Sequence, residues 1–215
     1  MPAHTGRPGS DREVPATAAR AAPAVKTSLS HPLRIADIPV APGAGSVGIT
    51  FCPGKKDAAS LSGPWDRDLD LDLDAIAAWG AAAVVTLVET WELEHLSVPE
   101  LGAQVERRGM RWLHLPIVDV STPGAHFEAR WRDLAPDLHR HLRGGGKVLV
   151  HCRGGIGRAG TIGARLLVEL GWTPDEAIGT IRRVRDPNAI ETFEQEAYVR
   201  RCRPVMATGS GRGPV

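Results

Sequence analysis

Cysteine is scarce in this chain of 215 residues: it occurs only at Cys52, Cys152 and Cys202. Three such scattered residues make neither a disulfide framework nor a zinc site, and they fit a reducing, cytoplasmic setting. Aromatic residues make up 5% of the chain, with a single tyrosine, Tyr198. Neither sign of charge is in excess, since 26 Lys and Arg stand against 25 Asp and Glu. That balance gives no reason to expect a nucleic-acid or membrane partner. Long apolar runs are missing as well. Residues 81–88 form one of the longest, far short of a bilayer span. The N-terminus lacks a basic segment followed by an apolar one, so no signal peptide is expected. What remains, 42% hydrophobic and 24% charged residues, is the composition of a globular protein with one sizeable core.

Residues 1–32 are rich in Pro, Ala, Gly, Ser and Thr without a lasting apolar period, and read as a disordered tail. Residues 205–215 read as a flexible Gly/Pro tail, which leaves one domain over 33–204. Within it, Val47–Phe51 reads as a first strand, 68–79 as a helix, and the unbroken apolar run 82–88 as a strand buried on both faces. Asp68, Asp70, Asp72 and Asp74 read as a solvated helix start. Ser97, Pro99 and Glu100 read as the capped start of a helix running to about Arg108. Residues 112–117 form the next strand. Phe127, Trp131, Leu134, Leu138 and Leu142 mark a long helix, with a kink or break expected at Pro136. Thr173 with Glu176, and Thr192 with Gln195, read as capping boxes opening the last two helices. Strands alternating with helices predict a three-layer α/β domain with a mostly parallel central sheet flanked by helices. Ligands in such sheets sit at the carboxyl ends of strands. The loops after Phe51, Ile117 and Val150 lie there, and they carry Lys55 and Lys56, Asp119, and Cys152 to Arg158.

The last of these loops organises the rest. The apolar run Lys147-Val148-Leu149-Val150 leads into His151-Cys152-Arg153-Gly154-Gly155-Ile156-Gly157-Arg158, and a helical pattern leads out. A strand–loop–helix of this kind aims backbone N–H groups and the positive helix end at one point, an anion site. A thiol there ionises readily and becomes a nucleophile. The backbone amides of Arg153, Gly154, Gly155, Ile156, Gly157 and Arg158 suit a phosphate, and the Arg158 guanidinium adds a bidentate fork. Asp119 is a candidate general acid; an aspartate forming a turn before Pro123 explains it equally well from position alone. His151 reads as a satisfied core histidine rather than a base. Gln195 either orients water or only caps a helix. Lys55 either lines the crevice or sits in a solvated turn, and Thr161 stands two residues beyond Ala159. Cys52 reads as a quiet buried cysteine, with a reversible disulfide to Cys152 as the alternative. His139 and His141 read as a solvated helix end. No metal and no cofactor is expected.

The pattern His-Cys-x5-Arg resembles the signature of the cysteine-dependent protein tyrosine and dual-specificity phosphatases. The resemblance runs from about Gly48 to Arg201 and is strongest to the cyclin-dependent kinase inhibitor 3 (kinase-associated phosphatase) group. Besides the signature loop it is carried by Thr50-Phe51-Cys52-Pro53-Gly54-Lys55, by Pro116-Ile117-Val118-Asp119 with Thr122-Pro123, and by Ala189-Ile190-Glu191-Thr192 with Gln195. It implies a tyrosine-phosphatase-like fold, with Cys152 as nucleophile, Arg158 as phosphate binder and Asp119 as general acid. It also implies metal-independent, two-step hydrolysis of phosphomonoesters through a phosphocysteine. The aspartate precedes the cysteine, unlike the order in low-molecular-weight phosphatases. The family usually carries Ser or Thr directly after the loop arginine, where this chain has Ala159. The modest size and lone Tyr198 imply a shallow, dual-specificity pocket. The expected substrate is a phosphorylated protein, a kinase or a kinase target, acted on by a monomer. Two alternatives stand: a phosphatase for a phosphoinositide or nucleotide, and a phosphoprotein-binding pseudophosphatase.

Overall fold

The computed structural model describes residues 24–60 and 62–205. The expected tails over 1–32 and 205–215 therefore lie largely outside the described residues. Residues 24–32 are described, and they belong to the body of the domain. Lys26 N–H donates to Pro64 O at 2.9 Å, and the Lys26 carbonyl accepts from Asp66 N–H at 2.9 Å. Ser28 is buried and its Oγ accepts from Asp68 N–H at 3.0 Å.

The elements follow in chain order: β1 (Ala36–Pro39), β2 (Ser46–Phe51), β3 (Lys56–Asp57), β4 (Trp65–Asp66), α1 (Leu69–Trp79), β5 (Ala81–Thr86), α2 (Thr90–His95), α3 (Leu101–Arg107), β6 (Arg111–His114), α4 (Ala125–Arg143), β7 (Lys147–Cys152), α5 (Gly157–Glu169), α6 (Pro174–Val184) and α7 (Phe193–Arg201). The central sheet has the order β1-β2-β7-β5-β6. Only β1 runs antiparallel, to β2; the other pairs are parallel. β7 lies in the middle, and Val148, Leu149 and Val150 have no exposed surface, because helices cover both faces. On one face, a Cβ at Gly48 would lie 2.6 Å from the Trp79 ring, so the bare glycine lets α1 close on the sheet. On the other, a Cβ at Gly163 of α5 would lie 2.7 Å from Ile49 Cδ1. The α/β three-layer expectation is met, with a mixed sheet.

Four local expectations need correction. Ser97 does not cap a helix: its φ is 59°, and α3 starts later with Glu100 at its N-cap. The box sits instead at Glu89 and Glu92, where the Glu89 N–H donates to Glu92 Oε2 at 2.8 Å and opens α2, a helix the apolar pattern had hidden. Pro136 breaks nothing, since α4 runs unbroken through 19 residues. Asp72 is not solvated. It is buried and takes a bidentate pair from Arg67 at 2.7 and 2.8 Å. His139 is likewise buried, with Nε2 2.8 Å from Glu169 Oε2. The capping box at Thr173 and Glu176 forms as expected. Thr192 Oγ1 accepts from Gln195 N–H at 3.1 Å, but the Gln195 side chain turns elsewhere.

Candidate active site

β7 ends at Cys152 and α5 begins at Gly157, so four residues make the turn. Their carbonyls are tied from outside. Arg153 O accepts from Cys52 N–H at 3.3 Å and from Lys55 Nζ at 3.2 Å. Arg185 donates to Gly155 O at 2.8 Å and to Gly154 O at 3.1 Å. Gly155 holds φ 69°, and a Cβ there would strike Thr50 O at 2.4 Å; no other residue fits. The Gly155 N–H donates to Cys152 Sγ at 3.2 Å. The first N–H groups of α5 have no helical partner, an arrangement that suits an anion. Cys152 is buried at the floor of a cavity of about 650 Å³.

Arg158 enters this cavity from α5, held through both terminal nitrogens. Its Nη1 donates to Glu92 Oε2 at 2.6 Å and Ile117 O at 3.0 Å, and its Nη2 to Glu92 Oε1 at 2.9 Å. Nη2 also lies 2.8 Å from Asp119 Oδ1. Nε is buried with no partner among the described residues, a donor left for a ligand. Glu92 was not legible as a site residue; nothing in Thr90-Trp91-Glu92-Leu93-Glu94 singles it out. Burial pushes its carboxyl up, but the bonds from Arg158 and Glu89 N–H outweigh this and hold it below the usual range. Replacing Glu92 by glutamine strands the buried guanidinium with only half-exposed Asp119 as counter-charge. Such a loss should cost about 3 kcal/mol in urea unfolding at neutral pH. The difference should shrink in acid. A depressed carboxyl contributes stability above its unfolded pKa and loses it as the pH falls through the folded one.

Asp119 sits in the loop between β6 and α4, half exposed. Val120 follows with φ 58°, and Ile190 across the site has φ 60°. Two β-branched residues in the left-handed region store strain on either side of the cavity. Gln195 braces both segments: its Nε2 donates to Ser121 O at 3.2 Å, and its Oε1 accepts from Glu191 N–H at 3.0 Å. It is fully buried and acts as a brace between loops. Glu191, also unread from sequence as a site residue, lays its carboxyl against Gly157, where a Cβ would meet its Cδ at 2.5 Å. Burial and the nearby Asp119 charge push this carboxyl up.

Of the other sequence candidates, Lys55 is buried and lines the cavity together with Arg153, Gly154, Ile156 and Gly157. Arg153 holds Asp57 through bonds of 3.0 and 2.9 Å. His151 lies behind the loop with no exposed surface. Thr86 Oγ1 accepts from Trp112 Nε1 at 2.8 Å and shares a hydrogen bond of 2.8 Å with His151 Nε2. Burial drives the imidazole down to about 3, which suits a neutral core residue and not a base. The Thr161 hydroxyl donates to Gly157 O at 2.8 Å, inside its own helix; it does not stand in for the hydroxyl absent at Ala159. Cys52 is free and fully buried, and burial pushes its thiol up. Among the described residues, no helix is long and apolar enough to cross a membrane.

Comparison with known proteins gives concordant results. A family model described as "PTP-SAK: Swiss Army Knife protein, DSP-PTPase phosphatase domain" matches residues 61–208. Cyclin-dependent kinase inhibitor 3 of Rattus norvegicus is 31% identical over 143 residues, covering 66% of this chain and 66% of the relative. The chain thus spans about two thirds of that relative's length. A crystal structure of kinase associated phosphatase (KAP), with the catalytic-site cysteine substituted by serine, superposes with a TM-score of 0.68 at 26% identity, covering 78% of this chain and 92% of that one. Tk-PTP in its active form gives a TM-score of 0.55 at 32% identity, covering 73% and 90%.

Proposed function

The chain belongs to the dual-specificity and tyrosine phosphatase (DSP-PTPase) family, and from that premise we propose that it hydrolyses phosphomonoesters on proteins in two steps through a phosphocysteine. The observation that carries this reading is convergence: Cys152 from β7, Arg158 from α5 and Asp119 from the loop after β6 line one cavity.

In the first step the Cys152 thiolate attacks phosphorus. The S–P bond forms, the bond to the ester oxygen breaks, and Asp119 gives its proton to the departing alkoxide or phenoxide. The loop amides from Arg153 to Arg158, with the Arg158 guanidinium, hold the equatorial oxygens. Positioning and charge stabilisation of that kind supply most of what phosphoryl transfer needs. In the second step water attacks phosphorus, Asp119 takes the proton, and the S–P bond breaks to return the thiolate and release phosphate. Thr161 is committed to Gly157 O and Ala159 has no hydroxyl, so the second step proceeds without a hydroxyl donor to the departing sulfur from either residue.

Relatives named for a kinase favour a phosphorylated kinase or kinase target as substrate of a monomeric, cytoplasmic enzyme. No cofactor and no metal enters the scheme. The purified full chain should therefore release phosphate from an aryl phosphate equally well with and without a chelator. Activity lost in chelator and restored by a divalent ion overturns the proposal.

A further inference from the structure

Four carboxyls line the Cys152 cavity: Asp57, Asp119, Asp186 and Glu191. Three of them have a fixed partner. Asp57 takes two bonds from Arg153, at 3.0 and 2.9 Å, Asp119 lies 2.8 Å from Arg158 Nη2, and Asp186 accepts from Asn188 N–H at 2.8 Å. Glu191 stands apart: part of its surface is exposed, and its carboxyl end meets the catalytic loop. A Cβ on Gly157 would lie 2.5 Å from Glu191 Cδ and 2.7 Å from its Oε2, so the bare glycine is what admits the carboxyl.

The backbone fixes this placement. Ile190 holds φ 60°, and its N–H donates to Ile156 O, within the loop, at 3.3 Å. The Glu191 N–H donates to Gln195 Oε1 at 3.0 Å. Arg182 of α6 holds the same segment through Ala189 O at 3.1 Å and Ile190 O at 3.3 Å. Few charges surround the carboxyl. Asp119 acts on it from the loop after β6, and Arg158 from α5. Arg182 is paired with Glu196 at 2.8 Å, Glu196 also takes Arg200 at 2.8 Å, and Glu194 of α7 is exposed. Arg158 is itself engaged by Glu92 through two bonds. A carboxylate beside a helix start is ordinarily favoured. Here burial first, and the Asp119 charge second, push the carboxyl up against the pull of Arg158 and the Gly157 N–H.

An oxyanion at Cys152 sharpens this conflict. It needs the N–H groups at the start of α5, where the Glu191 carboxyl lies, and it adds negative charge beside two carboxylates that already repel each other. Like charge at short range favours the protonated form of a carboxyl. The neutral acid repels nothing, and its O–H is a donor.

We propose that Glu191 is a phosphate-binding residue that works as the neutral acid: as the oxyanion enters, Glu191 takes one proton from solvent and its O–H donates a hydrogen bond to an oxyanion oxygen. The proposal rests on the phosphatase reading, since it places an oxyanion at Cys152. The bound form holds one more proton than the free form, so affinity falls as the pH rises. Dianionic phosphate groups therefore bind best on the acid side of neutrality.

The test uses the full chain carrying Cys152→Ser, which removes turnover and the titration of the thiol. The probe is sulfate, a dianion at every pH used. In calorimetry, the sulfate dissociation constant should rise at least ~tenfold from about pH 6 to about pH 8, and buffers of different ionisation enthalpy should show net proton uptake. Adding Glu191→Gln, which keeps a donor and cannot ionise, should bring the rise below ~threefold and tighten binding at the alkaline end. Adding Glu191→Leu should flatten the profile as well, but with binding weaker than in Glu191→Gln at every pH, because the donor is gone. Asp119→Asn, made separately, should keep the rise. A parent without the rise overturns the proposal, as does a rise that survives Glu191→Gln. Equal binding by the Gln and Leu variants removes the donor role and overturns it too. A rise lost in Asp119→Asn places the proton on Asp119, with the same result. If Glu191→Leu does not fold, the comparison with Glu191→Gln decides. Sulfate that binds no variant at any pH overturns the phosphatase reading as well, which keeps the two failures apart.

Discussion

Substituting serine for Cys152 should lower turnover of an aryl phosphate by at least ~10⁴-fold while the fold and phosphate binding survive. The argument is one of ionisation. The Gly155 N–H lies 3.2 Å from Sγ, and a thiol, as a class, can supply the anion that the proposed attack requires. A serine hydroxyl cannot, and His151 offers no base to help: it is sealed behind the loop and held near a pKa of 3 by burial. The cradle does not depend on sulfur. Its shape is set by Gly155 in the left-handed region and by the bonds from Arg185 and Cys52 to the loop carbonyls. Thermal unfolding should therefore move little, and inorganic phosphate should still bind. A serine variant with full activity would remove Cys152 from the chemistry.

The loop was readable in sequence because its constraints are local. Gly155 turns the chain with a φ of 69°, the apolar run before Cys152 must be a buried strand, and these adjoin in the chain. Asp119 was readable as a candidate for its place at a strand's carboxyl end. Its partners were not. Glu92 meets Arg158 across 66 positions of sequence, from a six-residue helix with no apolar stripe. Asp72 was misread for a related reason. Alternating aspartates look like a solvated helix start, and only the fold brings Arg67 against one of them. Lys55 shows the same limit from the other side. Its Pro-Gly turn is local, but its burial follows from Phe51 and Trp65 closing over it. Gln195 divides the two cases. Its backbone role at the start of α7 was visible, and its side chain's span from Glu191 to Ser121 was not.

Replacing Asp119 by asparagine should lower kcat about 10²–10⁴-fold on an alkyl phosphate and less on a nitrophenyl phosphate, whose leaving group needs little protonation. A general acid works only while it holds its proton, so the rate falls as the pH rises past its pKa. Asparagine holds no such proton, and the basic limb of the kcat/KM profile should vanish with the acidic limb kept. The ion pair to Arg158 adds a second, opposite effect. Asp119 Oδ1 lies 2.8 Å from Nη2 of the guanidinium that holds phosphate in the proposed mechanism. An incoming dianion competes with that carboxylate, and removing its charge frees the arginine. The asparagine variant should therefore bind inorganic phosphate more tightly than the parent while turning over more slowly. Weaker binding with an unchanged pH profile would make Asp119 a structural partner of Arg158 and not its proton donor. Tighter binding with a lost basic limb assigns both roles to the one carboxylate: it holds the arginine in the empty site and moves to the leaving oxygen once phosphate has taken its place.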